Sequence, residues 1–425
     1  MSRTLFENVT VLDGSGKDPF RGHVLVEGNR IKQVAKAGAK VARDGAEVVD
    51  GTGCTLMPGL VEAHGHLSFT NVSTLEALGD IPPEEHTLLT AQNAKLLLDQ
   101  GFTSVNSAAA AKPRLDVVIR NAINEGMIPG PRLLASSPEL TVTAGLGDVR
   151  RMHIHRDTFS IVCDGADEFR RAARMMCREG VDTLKMNPSG DQFVPFAKAE
   201  DTVMTDEEMA AVVEVARQHR KRVMTHARSA ESIKMSVRHG ITLINHATLP
   251  DEEAIDLLES VKDKVFVIPG IGVAYTTLYE ASDWGITTKV AEDMGWKFEL
   301  DHAVVAMKEY KRRGIRVVPG GDYGFAWNPQ GRNARDIEHF VKLFGFKPME
   351  AIVAATRMGG EIMMRGHELG QVKTGYLADL LLIDGDPLED VSILQDRDRL
   401  LGIMKDGSFH KKPAERRQAR RLAAE

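Results

Sequence analysis

The stretch VEAHGHLSFT, Val61 to Thr70, follows Met57-Pro58-Gly59 and decides how the rest of the chain is read. A short apolar run ends in two histidines, His64 and His66. Side chains on a strand alternate, so residues two apart point the same way. The two imidazoles can then reach one ion, and Gly65 between them leaves the approach clear. Imidazole nitrogen suits zinc and similar divalent cations. A lone histidine at a strand end is more commonly a hydrogen-bonded polar residue, so the metal reading needs partners from elsewhere in the chain.

From about Gly59 onward, strand-like and helix-like runs alternate. Strands are expected at 60–66, 103–107, 132–135, 181–185, 222–226, 242–246, 265–269 and 315–322. Thr205-Asp206-Glu207-Glu208 is a capping box, and Met209, Val212, Val213 and Ala216 follow it at helical spacing. Phe169, Ala172, Ala173 and Met176 make a similar stripe. Gly101, Gly126, Gly180, Gly240 and Gly314 each stand where a helix would stop before a strand. Eight strands alternating with helices predict an α/β fold, a (β/α)8 TIM barrel.

Barrel enzymes keep their active sites at the C-terminal strand ends. There the first strand supplies His64 and His66, the fourth Lys185, the fifth His226, the sixth His246 and the eighth Asp322. Singly, each has a bland explanation: a capping aspartate, an ion-paired lysine, a satisfied histidine. Together they form a metal-ligand set. An ammonium has no acceptor and is a poor neighbour for dications. A deprotonated lysine amine can add carbon dioxide, and the resulting carbamate has two oxygens able to bridge a two-metal site. The expected cofactors are therefore two divalent ions, zinc by donor type, with carbon dioxide held as a carbamate on Lys185.

The chain ends differ from this pattern. Residues 4–56 read as strands, with a hairpin around Gly28-Asn29 flanked by Val24, Val26 and Ile31. Strand texture returns near Gly370, in ADLLLIDGDPLEDV and LGIMKDGSFHK. Neither end is large enough for a core of its own. Residues 1–58 and 369–410 are expected to form one composite β-sandwich domain, with the barrel, 59–368, inserted and a basic tail at 411–425. The tail is read as a solvated terminal helix. The 272–300 stretch is too long for a tight turn and is a candidate lid or oligomer contact.

A length of 425 residues fits one barrel plus a smaller domain. The net charge of −6 argues against a nucleic-acid partner. Three scattered cysteines, Cys54, Cys163 and Cys177, argue against a disulfide framework and for a reducing compartment. No apolar run approaches the ~20 residues needed to span a bilayer. The opening MSRTLFENVTVLDG has no apolar core of signal-peptide length. A cytoplasmic protein without a membrane partner is expected.

The quoted motif resembles the amidohydrolase superfamily in its longer form MPGLVEAHGH. So do DTLKMNPSG around Lys185, VMTHA around His226, LINHA around His246, PGGDYG around Asp322, and the tail AATRMGGEIMMRGHELGQVKTGYLADLLLIDGDPLEDV. Within it the chain is most similar to imidazolonepropionase-like amidohydrolases and to Xaa-Pro and related metallo-carboxypeptidases. That branch includes amidases that cleave ochratoxin A into ochratoxin α and phenylalanine.

The resemblance implies a binuclear zinc site bridged by a carboxylated lysine, a β-sandwich beside the barrel, and a homo-oligomer, often an octamer. His64 and His66 would hold one ion and His226 and His246 the other. Asp322 would complete the first site and act as the catalytic proton carrier. The implied reaction is hydrolysis of a small-molecule amide, such as an N-acyl amino acid or a C-terminal residue. Cyclic amide hydrolysis and Xaa-Pro dipeptidase activity are the alternatives. A deaminase would need no bridging lysine, and a non-catalytic scaffold relative would lose ligands that this chain keeps.

The chain departs from relatives at Gly65, at Asn106-Ser107 and at Ala144-Gly145-Leu146-Gly147-Asp148. These departures bear on the substrate and leave the ligand set intact. Candidate substrate contacts are Ser68, His153, His155, Arg228 and Tyr323, with Arg150 and Arg151 as further partners for a substrate carboxylate.

Overall fold

The computed structural model describes residues 2–154 and 158–414. The chain divides into two compact units. One gathers both chain ends, up to Val61 and from Phe346, together with Leu97–Ser104. The other holds Glu62–Leu96 and Val105–Gly345.

In the first unit, strands from both ends join one eight-stranded sheet. Arg3–Val11 runs antiparallel to Phe20–Glu27 and parallel to Glu47–Asp50 and Cys54–Pro58. Cys54–Pro58 pairs with Leu380–Asp384, which pairs with Leu400–Lys405 and so on to Ser408–Lys411. The hairpin expected around Gly28-Asn29 forms between Phe20–Glu27 and Arg30–Lys36, with Glu27 opposite Arg30. Phe6, Val9, Val24, Val26, Leu56, Leu380 and Leu382 cluster on this sheet. Each such side chain contributes about 1.5–3 kcal/mol when fully buried. Lys411 ends the last strand, and the tail beyond Ala414 lies outside the described residues.

The second unit is built on parallel strands. Ser160–Val162, Ser136–Thr141, Thr183–Met186, Arg222–Ser229, Leu243–Leu249, Phe266–Ile268 and Arg316–Val317 stand in that order in a seven-stranded sheet, every neighbouring pair parallel. Leu60–Gly65, Phe102–Ser107 and Arg132–Leu134 form a three-stranded sheet. Helices lie between most successive strands, the exceptions being the links from Arg132–Leu134 to Ser136–Thr141 and from Ser136–Thr141 to Ser160–Val162. The capping box is present: Thr205 Oγ1 accepts from the Glu208 amide, and the Glu208 carboxylate accepts from the Thr205 amide. Phe169, Met176, Met209 and Val212 share one buried cluster, the predicted apolar faces of two helices.

Three expectations change. The third expected strand, 132–135, is followed by a second, Ser136–Thr141, whose Pro138 disguises it. The expected strand 315–322 is regular only at Arg316–Val317. Pro319 lacks an amide donor, and Gly320 and Gly321 carry no side chain to hold an extended conformation, so the ladder stops there. The 272–300 stretch is largely helical, in Ile271–Tyr279, Thr288–Met294 and the start of Trp296–Arg313. Its Trp296 is fully buried, whereas Tyr279, Trp284 and Phe298 are exposed.

Cys54, Cys163 and Cys177 form no disulfide. Among the described residues, no helix is long and apolar enough to cross a membrane.

Candidate metal centre

Parallel strands deliver their C-terminal ends to one side, and the six ligand-type residues line a single pocket there. His64, His66, Lys185, His226, His246 and Asp322 share it with Glu139 and Asp191. Its remaining wall is apolar: Phe69, Leu75, Leu146, Phe159, Phe193 and Phe325. The cavity holds about 30 Å³, space for roughly two waters. The ligand atoms of His64, His246 and Asp322 all lie within 4.8 Å of one another.

The imidazoles are oriented by what their second nitrogens do. His66 Nδ1 donates to the Ala109 carbonyl at 3.1 Å, so a neutral ring turns the lone pair of Nε2 inward. That Nε2 lies 3.1 Å from Nε2 of His64 and 3.2 Å from Oδ1 of Asp322. His226 Nε2 donates to the Gly190 carbonyl at 3.0 Å, leaving Nδ1 as its free donor of electrons. His64 Nδ1 and His246 Nδ1 are buried without a hydrogen-bond partner. Buried nitrogen lone pairs facing a carboxylate repel unless something positive stands among them. A divalent cation meets that need, and outer carbonyl partners that fix an imidazole are the usual companions of a metal ligand.

The backbone is shaped to bring these groups close. Asp322, His246 and Ala247 adopt left-handed φ values of 58°, 72° and 49°. Such conformations cost of order 1–3 kcal/mol each and collect at functional sites. A methyl on Gly320 would sit 2.7 Å from Cβ and 2.8 Å from N of His64, and one on Gly270 would sit 2.7 Å from His246 Nδ1. Only glycine fits at either place.

Charge is distributed unevenly. Burial would raise the Asp322 carboxyl, but His64, His66 and Lys185 outweigh it and hold the group well below the usual carboxylate range. Burial lowers Lys185, against the pull of Glu139 and Asp322, and favours its neutral amine. Burial raises Glu139, opposed by Lys185, His66 and a hydrogen bond from Asn187. Burial also depresses His64, His226 and His246 well below the ordinary histidine value. The lowering of these three imidazoles and of the Lys185 amine runs in the direction that metal ligation and carbamate formation require.

The expected substrate contacts are placed otherwise. Ser68 is buried, and its hydroxyl accepts from the Ala111 amide. Tyr323 is buried, with its hydroxyl donating to Asp336. Arg228 is buried beside Trp296, its guanidinium donating to Asp191 at 2.8 Å and to Glu299. None of these three lines the pocket. His153 is exposed and also lies off the pocket. His155 lies outside the described residues. Arg150 is engaged by Asp148. Sequence reasoning missed Glu139, Asp191 and the phenylalanine wall. Glu139 had a usable signal, a carboxylate three residues into a strand, in the stretch where Pro138 argued against one.

The sequence profile of the Amidohydrolase family matches residues 55–409. Ochratoxinase from Aspergillus niger is 24% identical over 429 residues, spanning 95% of this chain and 85% of that protein. Among solved structures, a prolidase complexed with N-methylphosphonate-L-proline aligns with a TM-score of 0.86 at 24% identity, over 97% of this chain and 100% of that one. An amidohydrolase aligns with the same TM-score and coverage at 26% identity.

Proposed function

The chain belongs to the amidohydrolase family and is a hydrolase of amide bonds; from that premise we propose that it is a binuclear metal-dependent enzyme cleaving N-acyl amino acids. Ochratoxin A, split into ochratoxin α and phenylalanine, is the substrate we assign as its test case. One observation carries this reading: four imidazoles, one buried amine and the Asp322 carboxylate line the same pocket.

In this reading His64, His66 and Asp322 would hold one ion, His226 and His246 would hold the other, and Lys185 as its carbamate would serve both. Two such ions, zinc by donor chemistry, would supply the acidification of a water and the polarisation of an amide carbonyl. Asp322 takes up the water's proton and delivers it to the leaving nitrogen, the work of a positioned general base and acid. Its carboxylate is ionised at neutral pH for the reason given above, so it is ready to accept. Phe69, Phe159, Phe193 and Phe325 exclude bulk water and provide an apolar wall suited to an aromatic substituent. The A. niger relative, by its name, acts on ochratoxin, which accords with that wall. We further take the parallel strands to close as a (β/α)8 barrel over 59–368, residues 1–58 and 369–410 to form a β-sandwich, and the chain to assemble as a homo-oligomer.

The test is metal analysis of the purified protein with parallel assays of N-acyl-phenylalanine, ochratoxin A, Xaa-Pro dipeptides and cyclic amides. Two ions per chain and turnover of the aromatic N-acyl substrates are expected. One ion per chain would point to deaminase-type chemistry. Turnover confined to dipeptides or cyclic amides would overturn the substrate assignment.

A further inference from the structure

We infer that Asn328, Gln330, Asn333 and Asp336 form a polar clasp that sets the position of Asp322 against His64 and His66, and so sets metal affinity. The inference rests on the metal reading above.

The strand Arg316–Val317 ends before Asp322; the Gly270 and Val273 amides donate to the Gly320 and Gly321 carbonyls at 3.0 Å, while the Gly320 amide and the Asp322 carbonyl turn to side chains. Buried backbone groups need partners from somewhere. For these last two the clasp supplies them. Asn328 Nδ2 donates to the carbonyls of Gly321 and Asp322, both at 3.0 Å. Asp336 accepts from the Gly320 amide at 3.2 Å and from the Tyr323 hydroxyl at 3.1 Å. The left-handed Asp322 is thus held on both sides.

The same segment also holds the histidine end. Gln330 Nε2 donates to the His66 carbonyl at 2.7 Å and to the Tyr323 carbonyl at 2.9 Å, so one amide ties the two ligand segments together. Asn333 Nδ2 donates to Glu62 at 2.8 Å, and the other Glu62 oxygen accepts from the His64 amide at 2.9 Å. All four clasp side chains are at least nine-tenths buried. None of them faces the pocket. They are positioning residues that act through backbone groups of the ligands.

The experiment is a zinc titration of the metal-free full chain against a chromophoric chelator, with melting of the same metal-free samples. Asn328→Ala and Gln330→Met should each weaken zinc binding about 10- to 100-fold, as loss of an outer partner does. Saturating zinc should restore most of kcat, and KM should change little. Arg332→Ala, on the same segment but paired with Glu280, should leave zinc affinity unchanged. If either clasp variant fails to fold, Asn333→Ala, acting through Glu62, supplies the same readout. Unchanged zinc affinity with only a lowered melting temperature would overturn the clasp and leave the metal reading standing. Equal loss in Arg332→Ala would also overturn it. Equal zinc binding by the parent and by His64→Asn would overturn the metal reading, and the clasp with it.

Discussion

His66 Nε2 faces Oδ1 of Asp322 across 3.2 Å, while the opposite nitrogen of the same ring is committed to the Ala109 carbonyl. Two electron-rich atoms that close, in a buried site, call for a cation between them. Dialysis against a strong chelator should therefore abolish amide hydrolysis, and added zinc should restore it. The melting temperature should fall with the metal, because a ligand at 1,000 times its Kd contributes about 4 kcal/mol to stability. Full activity after complete metal removal would contradict this account.

Asp322→Asn separates chemistry from conformation. Asparagine tolerates the left-handed backbone that Asp322 adopts, so the fold should persist. The amide can neither accept nor deliver the proton, and kcat should fall by about 10²- to 10⁴-fold. Steady-state kinetics beside a melting curve would check both halves.

Lys185→Ala removes the group assigned to bridge the ions. Metal content measured by mass spectrometry should drop from two ions per chain toward one, with activity lost in parallel. A variant that keeps both ions and full turnover would rule out the bridge.

Phe193 stacks on Phe325 with ring centroids 5.3 Å apart, and both line the pocket. Phe193→Ala should raise KM for aromatic N-acyl amino acids roughly 10-fold, the effect of losing about 1–2 kcal/mol of apolar contact. kcat should move less. Equal losses for aromatic and small aliphatic substrates would show that the ring does not select.

His339 gives the protein a built-in acid sensitivity. Burial, reinforced by Arg335, lowers its pKa to about 4, and its Nε2 has no hydrogen-bond partner. An unfolded histidine titrates near 6.5. Between those values the unfolded chain binds the extra proton and the folded chain does not. The stability is present above pH 6.5 and is lost as pH falls toward 4, by up to about 3 kcal/mol. His339→Leu should flatten that part of the stability–pH curve in denaturant titrations.

The convergence of His64, His66, Lys185, His226, His246 and Asp322 on one pocket was legible because three signals coincide at each position: residue type, strand end and motif. His226 and His246 illustrate this, since their strands, Arg222–Ser229 and Leu243–Leu249, begin within one residue of where β-branched runs place them. Adjacency in sequence to a pocket-lining residue did not by itself put a side chain on the pocket wall. Tyr323 follows Asp322 in sequence, yet its side chain turns to Asp336. Ser68 keeps the two-residue spacing of the histidines, but the strand Leu60–Gly65 has ended and alternation no longer applies. The clasp residues Asn328 and Gln330 sit in irregular chain, where hydrogen bonding to distant backbone leaves no periodic trace. The phenylalanine wall comes from separate loops and converges only in three dimensions.

Gly320 lies against the backbone of His64 with no room for even a methyl group. That contact divides the site into a part that can evolve and a part that cannot. A laboratory search for new activities has its freedom at Phe69, Phe159, Phe193 and Phe325. Libraries that randomise the glycines beside His64 and His246 would mostly sample broken catalysts.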